Sequence, residues 1–459
     1  MLGYLKSAKA RIGFLSTGDP LGVYTEGANP PGNAAEDIGV EFISWSKPVA
    51  SSGDVAEAVL WLQNEGIDAI VCQLCAFCGD GNVARALADA KLPTLLWCVE
   101  EPTHEGVLLL NSMTTLNLFT SVFHREGHRF QWAYGNATDK RFCDKLAVFV
   151  RAVKGIKALR EARIVRIGGT APGFINLGFD AADIRWLTGA DVEDMELDCL
   201  FERMESQDAH AVRETVDEIK GKYTVSKDIG ELQFENTARL MLTLKQLSAE
   251  EGVSAAALMC WPRLQNEKAV SPCLASALLN DTGFAVSCEG DVPGALTMLA
   301  ANAMSSCPSA IMDLVDMDVA ADALEFWHCG LGVPYFDSCM EPRLVKMPSA
   351  VFDQPGIAVH TKFRAQATSI MRFELQGEPR VFCTGAKIIN GPHNGHTGAS
   401  CSCTGFTVLG ARLTAEKLLD LVCASGTPHH YVIAGGDIEK ETIALAGLMG
   451  WKMISCEKN

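Results

Sequence analysis

Three metal-type groups stand far apart in this 459-residue sequence. Glu289 lies in SCEGDVPGAL, Asp313 in SAIMDLVDMD, and the His429-His430 pair in GTPHHYVIAGGD. Each is flanked by small or turn-forming residues, where a loop at the end of a strand is expected. Two carboxylates and an imidazole suit a borderline-hard divalent ion. Mn²⁺ is the expectation, with Co²⁺ and Mg²⁺ as alternatives that ligand type separates only weakly. Carboxylates beside such an ion can also move a proton next to a sugar carbonyl. Plainer readings stand beside these: Glu289 as the cap of a helix beginning near Pro293, Asp313 as a turn residue, and Asp291, Asp316 or Asp318 in either role. Adjacent side chains of a strand point to opposite faces, so only one of the two histidines is expected to enter a site.

Other groups are less specific. His328, in LEFWHCGLG, stands between an aromatic strand end and a glycine turn, and suits either a ligand contact or a core position. Trp261 and Gln265 suit a sugar site, the ring for a CH face and the amide for hydroxyls. GPHNGHTGASCSCTG holds His393, His396, Cys401 and Cys403. Its spacing is no established zinc pattern, and its glycines suit a mobile loop over a substrate. Cys72, Cys75 and Cys78 form C-x-x-C-x-x-C without the further cysteine of an iron–sulfur run. A redox protein built on that run is a third reading. An anionic substrate would need donors, and Arg263, Lys268, Arg343, Lys346 and Lys387 lie near the candidate loops in sequence.

The composition narrows the function classes. A formal charge of −17 argues against a nucleic-acid-binding surface but leaves room for a local basic pocket. No apolar run is long enough for a membrane span, and the first strand begins almost at the N-terminus, so a soluble cytoplasmic protein is expected. Most of the 17 cysteines sit in apolar runs such as PTLLWCVEE, as reduced thiols would.

Residues 10–165 alternate apolar strands with helices, which implies a parallel sheet covered on both faces. ARIVRIGGTAPGF restarts the pattern at 162, and VSAAALMCWPRL, FAVSCEGD and SAIMDLVDMD continue it. After about 340 short alternating runs broken by Gly and Pro read as antiparallel β. The expected fold is α/β: two doubly wound parallel-sheet domains, 1–163 and 164–338, the second carrying the carboxylates, then a smaller β-rich domain, 339–459.

At SCEGDVPGALTMLAANAMS, AIMDLVDMD and LEFWHCG the chain resembles the L-fucose/L-arabinose isomerase-like superfamily, and the resemblance extends over nearly its whole length through LPTLLWCVEEP, RIVRIGGTAPGF and HHYVIAGGD. In fucose isomerases a Glu and an Asp spaced as Glu289 and Asp313 are here bind Mn²⁺ with a C-terminal His. That His precedes a strand-closing glycine as His430 precedes Gly436. The resemblance therefore implies Glu289, Asp313 and His430 as metal ligands, the two carboxylates as proton-transfer groups, and His328 as the match to a further histidine of arabinose isomerases. It implies a fucose isomerase-like fold and a homo-oligomer, trimer or hexamer, with sites at subunit interfaces. It also implies aldose–ketose interconversion through a cis-enediol. The group includes enzymes of sulfonated sugars such as sulfoquinovose, so the substrate is left open. A non-catalytic sugar-binding protein on the same scaffold is the alternative.

Overall fold

The computed structural model describes residues 9–18, 30–31, 38–337, 343–347, 356–390 and 396–456. The chain forms two compact units. One is built from residues 8–157 with 440–451, the other from residues 158–439 and the C-terminal residues from 452.

The first unit carries β1 (Ala10–Ser16), β2 (Val40–Ser44), α1 (Ser52–Asn64), β3 (Ala69–Leu74), α2 (Gly81–Asp89), β4 (Thr94–Cys98), α3 (Ser112–Arg125), β5 (Phe130–Tyr134) and most of α4 (Lys140–Arg160). All pairings are parallel, in the order β2-β1-β3-β4-β5. Every residue of β3 and β4 is buried, the mark of strands covered on both faces. Helix α1 starts on a capping box in which Ser51 and Asp54 satisfy each other's backbone N–H. Cys72 is an interior β3 residue whose thiol burial pushes up, and Cys75 is buried beside it. Among the described residues no group of metal-type ligands forms around Cys72, Cys75 and Cys78.

The second unit begins with a four-stranded parallel sheet, in the order β10-β9-β6-β7. Its chain order is β6 (Arg163–Ile167), α5 (Ala181–Thr188), β7 (Asp191–Met195), α6 (Leu197–Glu205), α7 (Ala209–Lys222), a two-residue β8 (Thr224–Val225), α8 (Glu231–Glu251), β9 (Ala255–Leu258), α9 (Arg263–Lys268), α10 (Cys273–Thr282), β10 (Ala285–Cys288) and α11 (Val292–Ser305). Then come β11 (Ala310–Asp318), β12 (Ala323–His328), β13 (Arg343–Lys346), β14 (Ile357–Lys362), β15 (Gln366–Glu374), β16 (Arg380–Ile389), β17 (Ala399–Val408), β18 (Ala411–Arg412), α12 (Ala415–Ser425), β19 (His430–Ile433), α13 (Glu439–Met449) and β20 (Lys452–Met453).

The β-rich region is an eleven-stranded sheet in which β16-β15-β19-β11-β12-β17 run in order and β17 pairs back onto β16. Six antiparallel strands thus close into a ring without free edges between them. Met312, Phe326, Ile370, Phe382, Tyr431 and Ile433 fill it, together with Cys401 and Cys403. These two cysteines, set two apart on β17, share the inward face and act as packing groups.

The boundaries differ from those expected. Strands β11 and β12, expected in the central parallel domain, belong to the antiparallel ring. Helix α13, expected in the C-terminal domain, falls almost wholly in the first unit. A strand's own sequence gives its period but not its partner, so SAIMDLVDMD reads the same in either sheet. Among the described residues no helix is long and apolar enough to cross a membrane.

A half-buried carboxyl beyond β12 gives a pH prediction. Burial pushes Asp337 up to about 6, although the Thr361 hydroxyl donates to it at 2.8 Å. A carboxyl raised on folding contributes its full stability below the unfolded value of 3.8 and loses it as pH rises through about 6. Asp337→Asn is expected to melt with wild type near about pH 4. Near about pH 7.5 it should be more stable by on the order of 1 kcal/mol, screening by solvent included. Melting curves across that range check it.

Candidate active site

The site forms where the C-terminal ends of the parallel strands β6, β9 and β10 meet the outer face of the antiparallel ring. On β11, Met312 packs inside the ring, so Asp313 points out. On β19, Tyr431 packs inside, so His430 points out. Asp313 and His430 are direct partners across the β11–β19 pair. Glu289 follows the last residue of β10. The order of the chain therefore brings together residues as far apart as Glu289 and His430, through one parallel and one antiparallel strand end.

The Glu289 backbone has φ +60, in the left-handed region that a side chain rarely adopts. Gly290 follows at φ +75, and a Cβ there would run into the Gly169 carbonyl of the turn after β6. Gly290→Ala is expected to cost about 2–5 kcal/mol by backbone strain and overpacking, and to lower activity by displacing Glu289. Denaturant titration and turnover of the same sample would read both effects. The cap of α11 is Asp291, not Glu289, and its Oδ1 accepts from the Gly294 N–H at 2.9 Å. That frees the Glu289 carboxylate for the site.

His430 is 1% exposed and held on both sides. Its Nδ1 lies 2.9 Å from Asp291 Oδ2, and Asp291 accepts from Arg372 Nη2 at 2.9 Å. Burial works to raise the Asp291 carboxyl, but the Arg372 guanidinium and the His430 imidazole outweigh it and hold it well below the usual range. An ionised Asp291 requires a proton on His430 Nδ1, which in the neutral ring leaves the Nε2 lone pair facing outward. That nitrogen meets two carboxylates, Glu289 Oε2 at 3.6 Å and Asp313 Oδ1 at 3.8 Å. Asp313 Oδ1 is buried without a hydrogen-bond donor. The outward nitrogen of His430 thus lies between two carboxylate oxygens, an arrangement that a divalent cation can satisfy. Glu289, Asp313 and His430 fit such an ion in donor chemistry, and the ligand atoms that lie within 4.8 Å of one another here are those of Glu289, His429 and His430.

His429 also reaches the site. It precedes β19 by one residue, so the strand alternation expected to admit only one of the two histidines does not apply to it. Its Nε2 lies 3.1 Å from Glu289 Oε2, and its Nδ1 lies 3.0 Å from Asn176 Nδ2. An amide nitrogen can only donate, so in the neutral ring His429 Nε2 carries the proton and donates it to Glu289. Burial disfavours a second proton, but the bond to Glu289 and the charge of Asp313 outweigh it and raise His429 above the ordinary imidazole value. Phe174 packs on His429 with ring centroids 5.1 Å apart and meets Trp261 edge-on at 6.3 Å, so Trp261 belongs to the same rim.

Other expected residues fall out differently. His328 is buried, its ring 6.4 Å from that of His430. Gln265 is buried, with Nε2 donating to the Cys260 carbonyl at 2.7 Å, so its amide nitrogen serves the loop that carries Trp261. His396 is exposed, and His393 lies outside the described residues. Arg263 pairs with Asp198 and Glu267, and Lys268 with Glu205. Sequence reasoning did not reach Arg372, Asn176 and Phe174, which carry no motif and come from distant elements.

No family model matches the chain. Curated relatives align along most of it, each named sulfoquinovose isomerase. The one from Alkalicoccus urumqiensis is 26% identical over 421 residues, 89% of this chain and 90% of the relative. The one from Priestia aryabhattai is 25% identical over 396 residues, covering 84% and 85%. The one from Clostridium sp. (strain MSTE9) is 24% identical over 394 residues, covering 83% and 84%. Among solved structures, an ABC transporter periplasmic solute binding protein from Actinobacillus succinogenes 130z with bound D-allose aligns at 9% identity over 65% of this chain. Its TM-score is 0.18, too low to carry any argument.

Proposed function

We propose that this chain is an aldose–ketose isomerase acting on sulfoquinovose, with a divalent ion held by Glu289, Asp313 and His430. That it is an enzyme of the isomerase kind rests on its similarity, along 83–89% of its length, to proteins that bear that name. The observation that supports the site is the position of His430 Nε2, 3.6 Å from Glu289 Oε2 and 3.8 Å from the donorless Asp313 Oδ1.

A bound divalent ion would supply Lewis-acid polarisation of the sugar carbonyl. The chain's own groups do the rest. One of the two carboxylates takes the proton from C2 of the open-chain sugar and passes it to O1, giving a cis-enediol, and the other takes the O2 hydroxyl proton and delivers it to C1, leaving both ionised again. His429, braced by Asn176, fixes the Glu289 oxygen. Asp291 and Arg372 fix the tautomer of His430. The Trp261 and Phe174 rings offer apolar surface to the CH face of a sugar. A binder without catalysis would need no second carboxylate oxygen left without a donor beside the first. We place the enzyme in a homo-oligomer, trimer or hexamer, that completes the site at subunit interfaces.

The test is proton NMR in D₂O with metal-stripped protein, Mn²⁺ added back, and sulfoquinovose beside glucose and fucose. Metal-dependent conversion of sulfoquinovose with deuterium at C1 or C2 is expected. Conversion of the neutral sugars alone would overturn the substrate. Binding without conversion of any of them would favour the non-catalytic reading.

A further inference from the structure

A second set of metal-type side chains meets where α10 begins against the end of β12. Cys273 opens α10, His328 closes β12, and Cys329 follows it. Cys273 Sγ lies 3.6 Å from Cys329 Sγ, and Cys329 Sγ lies 3.5 Å from His328 Nδ1. One ligand atom from each of the three residues lies within 4.8 Å of the other two. Sulfur ligands at about 2.3 Å and an imidazole nitrogen at about 2.05 Å from a tetrahedral ion stand about 3.75 Å (S to S) and 3.55 Å (S to N) apart. The Cys273–Cys329 and Cys329–His328 spacings agree with these to within about 0.2 Å. Cys273 and His328 are each 2% exposed, so the ligand atoms are preorganised by packing. The neighbouring residue is shaped for this approach: a Cβ on Gly330 would lie 2.8 Å from the Cβ atoms of both Cys273 and Ala358.

We propose that Cys273, His328 and Cys329 form a second metal site, for zinc or another thiolate-accepting divalent ion. On binding, the two thiols release their protons to solvent and both sulfurs bond to the ion. His328 binds through Nδ1, and the three protein ligands leave a fourth position for water or another donor. The site differs in kind from the Glu289–Asp313–His430 set, which offers no sulfur. It clips the start of α10 to the end of β12 and fixes the His328 ring beside that of His430. It does not rest on the isomerase reading.

The test is Co²⁺ titration of the full-length, metal-stripped protein, followed in the near-ultraviolet. Thiolate ligands give a charge-transfer band there that oxygen and nitrogen ligands do not. Wild type is expected to develop the band at one equivalent of this site. Glu289→Gln, Cys260→Ser and Cys288→Ser should keep it, and Cys273→Ser and Cys329→Ser should each lose it. Absence of the band in wild type, or its survival in both Cys273→Ser and Cys329→Ser, would overturn the proposal. If those variants do not fold, zinc X-ray absorption of wild type decides: two sulfur neighbours, retained in Cys288→Ser, are expected, and a shell without sulfur, or one lost in Cys288→Ser, would overturn it.

Discussion

Glu289→Gln is expected to lower isomerase turnover by about 10³-fold or more, within the range that general acid–base groups contribute, while the protein stays folded. The variant keeps the size of the side chain and its hydrogen bond to His429, and removes the charge that faces His430 Nε2. Asp313→Asn should fall comparably, because the donorless Oδ1 loses its charge. A companion substitution separates function from stability. Glu289 sits at φ +60, where glycine is at ease and glutamate is strained by on the order of 1 kcal/mol. Glu289→Gly is therefore expected to melt no lower than wild type while being inactive. Turnover of Glu289→Gln within about tenfold of wild type, against the loss general acid–base catalysis implies, would remove Glu289 from the chemistry.

Arg372→Met is expected to be the most damaging substitution away from the proposed ligands. Arg372 and Asp291 are both buried, and removing one partner of a buried pair costs about 3–5 kcal/mol because the other charge is left uncompensated. The second effect is on the ion. Without Arg372, Asp291 protonates more readily and holds the Nδ1 proton of His430 less firmly, so Nε2 is a poorer donor. Loss of an outer partner of a histidine ligand typically costs about 10–100-fold in metal affinity. The two effects separate in Asp291→Asn/Arg372→Met, where no buried charge is stranded. Its stability should recover in part and its Mn²⁺ affinity should not. Denaturant titration gives the first and calorimetric Mn²⁺ titration the second. Affinity unchanged in both variants would show that Asp291 only caps α11.

The alternation of apolar strands and amphipathic helices in residues 10–165 and 162–305 was legible because each element's period is local. The switch to short β runs after about 340 was legible for the same reason. Glu289, Asp313 and His430 stood out by residue type and setting, with the family resemblance choosing among Asp291, Asp313 and their neighbours. Strand partnership was not legible, because hydrogen bonds between strands join segments with no sequence relation. Asp313 consequently lies on an antiparallel strand opposite His430 rather than at a parallel strand end. The role of His429 was missed because a one-residue shift in where β19 starts decides which face it takes.

The amino-acid sequence by itself determined the elements, the burial of most cysteines as packing groups, and the residue types able to hold an ion and move a proton, all of which follow from local periodicity and side-chain chemistry. Only the tertiary structure decided that β17 closes on β16 and that Asp291 and Arg372 stand behind His430. It also set the outward nitrogen of His430 between the Glu289 and Asp313 carboxylates. These are matters of distance between groups up to 141 residues apart, and packing fixes such distances where composition and spacing do not.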